Sequence, residues 1–194
     1  MYKMCKTEQS AQRQRQLEQG LLNAMLSHHY EEISVSDLCD QMEIPRKSFY
    51  RYFSSKDGAL HALIDHTLLE YESFPTALKP GEKRTYQKDL ERFFLFWKSQ
   101  KQLLDALERS NLSGILVMRS VEHAKSDVGT PNRFLQQEEK LAREHATMFG
   151  VCGLMSMVLQ WHHAGYDLPP RKMAVIAVQL LTQPLFADVD QYFG

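Results

Sequence analysis

The chain has 194 residues, a length that fits one or two domains. Its 43% hydrophobic and 24% charged residues are typical of a folded protein and exclude a disordered chain. Lys and Arg number 23 against 24 Asp and Glu, so the net charge of −1 lacks the basic excess that is common in nucleic-acid-binding proteins. The net charge of the whole chain does not describe every segment, and residues 46–56 are strongly basic.

The cysteines and the first ten residues predict an intracellular protein. Cys5, Cys39 and Cys152 have unrelated spacings and form neither a C-x-x-C pair nor a metal-binding set. The first ten residues lack the apolar core of a secretion signal. The uncharged stretch 146–166 carries too many polar side chains for a membrane span. We therefore expect a cytoplasmic protein without membrane contact, in which Cys152 is an unreactive thiol in apolar surroundings.

The sequence predicts helices nearly throughout, because regular alternating runs are absent and Gly and Pro fall in few places. The first helix is predicted over 8–28, where Leu17, Leu21 and Met25 recur on one face. The apolar run 115–118 is also compatible with a short strand, although its continuation fits helical spacing better.

Two short helices follow, joined by a tight turn. The segment from Ser34 to Asp37 has the Ser-x-x-Asp form of a helix start and predicts a helix over 35–42. Pro45 suits the first position of the next helix, over 46–53, because no N–H is needed there. A helix with two short helices after it, joined by about three residues, is the plan of a helix-turn-helix.

A longer helical region follows these elements. The run Ser54 to Asp57 is a second capping signature and begins a long helix that ends at Phe74, before Pro75. Clear breaks fall at 128–131 and 165–169. Further helices are predicted over 86–107, 112–125, 133–163 (with a possible break) and 170–186.

The second short helix is rich in basic and aromatic side chains. Between residues 46 and 56 the basic side chains give a charge of +4 with no acidic residue; they are Arg46, Lys47, Arg51 and Lys56. Phe49 and Phe53 lie four residues apart and are expected to face the core. Such a helix fits the major groove of B-DNA, with its first residues at the base edges.

Neighbouring side chains are predicted to contact the DNA backbone. The hydroxyls of Tyr50 and Tyr52 are expected to reach phosphates. Lys56, at the start of the following helix, is expected to place its ammonium and free N–H groups beside another phosphate.

These residues resemble the TetR/AcrR family of bacterial transcriptional regulators. The shared pattern is a Ser-capped helix at 34–39, a turn, and the run 44–60, where Phe-Tyr-x-Tyr-Phe-x-x-Lys-Asp leads into a long helix. The resemblance covers about the first sixty residues. Beyond them, only the length, the helical plan and the segment 161–165 before a Pro-led last helix are similar.

The resemblance implies an all-α fold and a homodimer that binds double-stranded DNA and a small-molecule effector. The DNA-binding domain would span 1–55 and the effector-binding and dimerisation domain 56–194, beginning with the connecting helix 56–74. The positions that match the family's DNA contacts are Ser34, Arg46, Lys47, Ser48, Tyr50, Arg51, Tyr52 and Lys56. The sequence departs from the family at Glu43, where Gly is usual, and at Pro45, where Ser is usual.

The last third of the chain contains two segments without Asp, Glu, Lys or Arg, at 146–166 and 173–187. A surface helix of a monomer normally has a charged face, so a contact between two copies of the chain is predicted. A helix buried inside one subunit is the alternative. The candidate interface residues are Gly150, Gly153, Met157, Trp161, Val178 and Leu181.

A ligand pocket is predicted among the aromatic residues of the second domain. Aromatic side chains crowd the helix predicted over 86–107, and helical bundles bind ligands between helices. Aromatic stripes at helical spacing more often belong to a packed core, but this helix has more aromatic residues than one stripe needs. The candidate lining residues are Phe93, Trp97, His123, Phe134 and Phe149.

The sequence predicts no catalytic site, metal or cofactor. The histidine pairs at 28–29 and 162–163 do not have the i, i+4 spacing of a helical metal pair. Neither a Gly-rich phosphate loop nor a G-x-S-x-G motif is present. The favoured interpretation is a ligand-responsive repressor that binds a pseudo-palindromic operator. The alternative is a helical interaction protein that has kept this fold and lost DNA binding.

Overall fold

A computed structural model describes residue 2 and residues 7–75, 83–127 and 137–182. The predicted all-α fold is confirmed, since helices dominate the described residues and the one β-bridge among them joins Tyr2 to Phe53. The helices are α1 (Glu8–Ser27), α2 (Val35–Gln41), α3 (Arg46–Tyr52), α4 (Lys56–Ser73), α5 (Tyr86–Ser99), α6 (Lys101–Arg109), α7 (Ser113–Asp127), α8 (Gln137–His163) and α9 (Pro170–Thr182).

Hydroxyl side chains begin several of these helices. The hydroxyls of Thr7, Ser34 and Ser55 accept hydrogen bonds from backbone N–H groups in the first turns of α1, α2 and α4, at 3.1–3.2 Å. The cap of α4 is thus Ser55, one residue later than the predicted capping run begins. Pro45 precedes the first residue of α3 instead of occupying it.

Two other predictions of helix extent are settled by the structure. The helix predicted over 86–107 is two helices, because the chain bends at Gln100, which belongs to neither. Residues 115–118 lie within α7, so the helical interpretation of that run is confirmed.

The first three helices enclose a small apolar core. Leu17, Leu21 and Met25 of α1 are fully buried, as the helical spacing predicts. Phe49 of α3 and Phe53 directly after it complete this core at 0% and 1% exposure, with ring centroids 5.2 Å apart. The burial of each side chain of this size stabilises the folded chain by roughly 1.5–3 kcal/mol.

The remaining helices form a larger bundle that rests on α1. Helix α5 packs along α9, and α7 packs along α8. Helix α6 packs against α1. The backbone N–H of Tyr30 donates to the hydroxyl of Ser110 at 3.0 Å, which joins the segment before α2 to the end of α6. The helix-turn-helix is therefore held directly by the bundle.

Two neighbouring side chains of α4 join the bundle to the first part of the chain, through Tyr2 and through Glu18 of α1. Asp65 of α4 accepts hydrogen bonds from Arg119 of α7 and from the hydroxyl of Tyr2, the latter at 2.8 Å. The next residue of α4, His66, contacts the carboxylate of Glu18 of α1 at 2.8 Å, and Glu18 is only 1% exposed. In the parts of the chain that the structure describes, no helix has the length and apolar character needed to cross a membrane.

Candidate nucleic-acid interface

Helix α3 has one buried face and one open face. Phe49 fixes the buried face in the core between the first helices. Arg46, Lys47 and Arg51 are exposed, and the ring of Tyr50 is 52% exposed. Because the aromatic anchor is fully buried, the orientation of the basic face is fixed by packing and not by the charged residues themselves.

The turn before α3 contains backbone strain. Glu43 has a φ of 52°, in the left-handed region that favours glycine. The turn is held on both sides, by a hydrogen bond from the Glu43 N–H to the Asp40 carbonyl at 3.1 Å and one from the Ile44 N–H to the Cys39 carbonyl at 2.9 Å. The substitution of the family's usual Gly by Glu is thus accommodated within the same kind of turn.

Ser34 caps α2, and Ser48 is the third residue of α3. The Ser34 hydroxyl accepts from the N–H of Asp37 at 3.1 Å and donates to its carboxylate at 2.6 Å. Ser34 is exposed, whereas Ser48 is half-buried in α3. Ser34 is therefore a helix cap whose surface remains open to a ligand.

Lys56 lies in a different environment from the one that the sequence predicts. Its ammonium donates to the backbone carbonyls of Tyr30 and Ile33, the second at 2.6 Å, and lies 4.1 Å from the centroid of the Tyr30 ring. Burial lowers the pKa of Lys56, and the nearby carboxylates of Asp57 and Glu31 partly offset this. Two of its three N–H donors are engaged inside the protein, so in the single chain the ammonium supports the start of α4.

Tyr52 is also more buried than the sequence predicts. It is 8% exposed, whereas Tyr50, two residues earlier, points to solvent. Tyr52 and Arg51 line a groove of about 470 Å³ between α3 and the first half of α1. We name this the α1–α3 groove; its lining residues are Gln9, Ser10, Gln12, Arg13, Gln16, Arg51 and Tyr52.

Sequence reasoning did not single out the α1 side of this groove. Gln9, Gln12, Arg13 and Gln16 follow the i, i+3, i+4, i+7 spacing of one helix face. This spacing follows from the helix predicted over 8–28, and the polar stripe lies on a different face from Leu17, Leu21 and Met25.

The predicted pocket residues are dispersed in the structure. Trp97 is 2% exposed, and Phe93 packs edge-on against it with a centroid distance of 6.4 Å. His123 lies 3.3 Å from the carboxylate of Glu72. Phe149 is 64% exposed on α8, so it does not line a closed cavity of the described chain. Phe134 lies outside the described residues.

The predicted interface residues fall into two groups. Trp161 is 2% exposed, and its indole N–H donates to the Leu168 carbonyl at 2.8 Å, so its side chain belongs to the core of the single chain. Gly153 is exposed, and the other predicted members are half-buried; they are Gly150, Met157, Val178 and Leu181.

Helix α8 presents an exposed stripe without formal charge. Phe149, Gly153, Ser156 and Gln160 are all exposed and follow helical spacing. A Cβ atom added at Gly153 would meet nothing within 4 Å. We name these four residues the α8 stripe; on α9, Val175 and Leu180 are also exposed, at 39% and 40%.

The histidine pair at 162–163 has carboxylate neighbours. The buried His162 of α8 lies 3.3 Å from Asp105 and 3.2 Å from Glu108 of α6, and His163 contacts Glu108 at 2.6 Å. Tyr166 lies 2.9 Å from the other ring nitrogen of His162. Among the described residues no group of three or more His, Cys, Asp or Glu side chains is arranged to hold a metal ion.

Three solved structures with a similar arrangement are named as regulators or activators. The chain is similar to the dihydroxyacetone kinase operon activator DhaS, with 15% identity and a TM-score of 0.52 over 87% of this chain and 93% of that one. It is similar to a TetR-family transcriptional regulator from Streptomyces coelicolor, with 19% identity and a TM-score of 0.51 over 88% of this chain and 79% of that one. The chain has the fold of TetR-family regulators.

A third structure has the same fold and confirms the expected resemblance at this level. The fatty acid degradation regulator FadR from Bacillus halodurans has 14% identity and a TM-score of 0.52, over 94% of this chain and 98% of that one. No protein-family model and no curated protein matches the sequence. The TetR fold accounts for both parts of the chain, whereas the roles of individual residues stay predictions.

Proposed function

We propose that the chain is a sequence-specific DNA-binding transcriptional regulator that binds a pseudo-palindromic operator as a homodimer. The observation that carries this proposal is the open basic face of α3, with Arg46, Lys47 and Arg51 exposed and Phe49 fully buried behind them. A short helix presented in this way fits the major groove, where Arg and Lys bond to guanine O6 and N7.

The DNA contacts proposed here are a smaller set than the sequence predicts. Arg46 and Lys47 at the start of α3 would read base edges, since the first residues of a recognition helix enter the groove deepest. Tyr50, Arg51 and Ser34 are exposed and would contact phosphates or sugars. Ser48 is half-buried beside them and stays a candidate, whereas the engaged ammonium of Lys56 acts as a support.

The homodimer is supported by the surface of α8. The α8 stripe is exposed and has no charged side chain, an arrangement that favours burial against another protein surface. A two-fold dimer through α8 and α9 would place two copies of α3 for half-sites about 34–36 Å apart. Closed two-fold dimers are the commonest soluble oligomers.

The regulatory output and its trigger are the finer parts of the proposal. We propose a cytoplasmic, non-enzymatic repressor whose DNA affinity changes when a small molecule binds in the helical bundle. Helices α4 and α6 of the bundle pack against α1, α1 contacts α2, and α2 contacts α3, so the bundle is connected to α3 through packed helices. An effector that binds one arrangement of these helices better would shift DNA affinity by its differential binding energy.

A selection from fragmented genomic DNA tests this function. The purified protein should retain a small set of fragments that share an inverted repeat. A variant with Arg46→Ala, Lys47→Ala and Tyr50→Ala should lose this enrichment, because the base contacts and a phosphate contact are removed. The matched control is Lys125→Ala with Arg171→Ala, two exposed cations in the bundle, and it should retain the same fragments.

Retention of no fragment by the wild-type protein would contradict the proposal. Equal enrichment by the triple variant would show that α3 does not read the DNA. A reporter gene placed behind the selected sequence then distinguishes repression from activation, the output for which DhaS is named.

A further inference from the structure

The α1–α3 groove is a polar surface directly beside the recognition helix. It has a volume of about 470 Å³ and is open to solvent along the first half of α1. Gln9, Gln12, Arg13 and Gln16 form one wall, and Arg51 with Tyr52 forms the other. The residues of the two walls are thus at least 35 positions apart in the sequence, from Gln16 to Arg51.

The charge and hydrogen-bonding capacity of the groove suit an anion. Its lining contains two guanidinium groups and no carboxylate. Arg13 donates to the side-chain oxygen of Gln16 at 2.9 Å, which holds its guanidinium on this face of α1. Arginine binds phosphate with paired N–H donors, and glutamine amides add further donors at the same surface.

Tyr52 lines this groove beside Arg51. Its side chain is 8% exposed and packs next to Phe53, with ring centroids 6.3 Å apart. The position of Arg51, directly before it, is therefore fixed by the packing of α3.

The length of α3 places the α1–α3 groove near the DNA backbone, whose phosphates are anions. A seven-residue helix is roughly 10 Å long, and the major groove is about 12 Å wide. With Arg46 at the base edges, the far end of α3 would therefore approach the sugar-phosphate backbone at the wall of the groove. The α1 stripe would continue this contact beyond α3.

We propose that the α1–α3 groove binds a backbone phosphate of the DNA, with Arg13 and Arg51 as its cationic ligands. This inference rests on the proposed function and adds α1 to the DNA-binding surface. The contact is independent of base sequence, since it involves only the phosphodiester. Arg13 and Arg51 would supply positive charge to the phosphate, whereas the ammonium of Lys56 is bonded to backbone carbonyls.

The salt dependence of DNA binding tests this site. For Arg13→Gln, the slope of log K against log salt should become shallower by about 0.9, because one fewer counterion-releasing contact is made. Affinity should fall about three- to tenfold for the selected operator and for unrelated DNA alike. Arg171→Gln, at an exposed position on α9, is the matched control and should leave both quantities unchanged.

A variant that should strengthen DNA binding complements this test, because misfolding could not produce that result. Gln12 lies on the same stripe, so Gln12→Lys adds a cation to the groove and should steepen the salt slope by about 0.9. Wild-type slopes for both variants would overturn the phosphate site while leaving the proposed function intact. Failure of the wild-type protein to bind any DNA would instead overturn the proposed function itself, and the site with it.

Discussion

Lys56, the first residue of α4, donates a hydrogen bond from its ammonium to the backbone carbonyl of Ile33 at 2.6 Å. Ile33 directly precedes the cap of α2, so this bond closes the α2–α3 unit at its base. Tyr30 completes the closure, because its carbonyl accepts from the same ammonium and its hydroxyl donates to Asp57 at 2.7 Å. The chain therefore enters and leaves the α2–α3 unit at one cluster, which consists of Tyr30, Ile33, Lys56 and Asp57.

Replacement of Lys56 should destabilise the protein. In Lys56→Met the two carbonyls lose a charged donor in a partly buried site, and we expect the free energy of unfolding to fall by about 1–3 kcal/mol. Urea denaturation followed by circular dichroism measures this change, with the exposed Lys125→Met as its control. An unchanged midpoint and slope for Lys56→Met would show that the cluster contributes nothing to stability.

Glu43→Gly should stabilise the protein. A non-glycine residue in the left-handed region destabilises the folded chain by about 1–2 kcal/mol, and glycine removes this strain. Glycine also gives the unfolded chain more conformational freedom, which cancels part of the gain. We expect a gain of about 0.5–1 kcal/mol, which corresponds to a rise of roughly 1–4 °C in Tm for a chain of this size. Differential scanning calorimetry checks it, and a lower Tm for Glu43→Gly would contradict the strain assigned to this turn.

Gly153→Leu should separate dimerisation from folding. The space around Gly153 is open in the single chain, and leucine is a better helix former than glycine, so the subunit should remain folded. A leucine there would hold two α8 helices apart, and light scattering should show the monomer where the wild-type protein is a dimer. Gly114→Leu is the matched control, since Gly114 lies in α7 with nothing within 4 Å of an added Cβ. A dimer of unchanged affinity in Gly153→Leu would remove the α8 stripe from the interface.

Stability should fall at alkaline pH. Burial and the hydrogen bond to Asp65 raise the pKa of Tyr2 from 10 to about 12. Burial, with the charges of Asp105 and Glu108, raises the pKa of Tyr166 to about 12 as well. Because these phenols ionise later in the folded chain than in the unfolded chain, their contribution is complete below pH 10 and is lost as the pH rises through about 12.

Urea denaturation between pH 8 and pH 12 measures this loss. The decline in unfolding free energy above pH 10 should be smaller in Tyr2→Phe than in the wild-type protein, since one late-titrating phenol is gone. Identical pH profiles for the two proteins would contradict the role of burial at Tyr2.

The sequence predicts α3 and its environment well, because local signals decide them. The caps at Ser34 and in the run before α4, the Phe49–Phe53 spacing and the absence of acidic residues between 46 and 56 all act over a few residues. The position of Lys56 is different. A long flexible side chain turns toward whichever acceptors are near, and the carbonyls of Tyr30 and Ile33 come near only through the packing of α1, α2 and α4.

The bundle is harder to predict for the same physical reason. The bend at Gln100 is not marked by Gly or Pro, so helical periodicity continues across it. Aromatic crowding indicates burial but does not distinguish a core from a cavity, as the packed Trp97 and the exposed Phe149 show. The α1–α3 groove depends on the meeting of two helix faces, which no single segment specifies.

The most direct test of the central claim is a hydroxyl-radical footprint on a DNA fragment selected by the protein. The wild-type chain should protect two half-sites about one helical turn apart, and Arg46→Ala should lose protection of both at the same protein concentration. Protection of a single site of one-turn length, or an unchanged footprint with Arg46→Ala, would contradict DNA reading by two copies of α3.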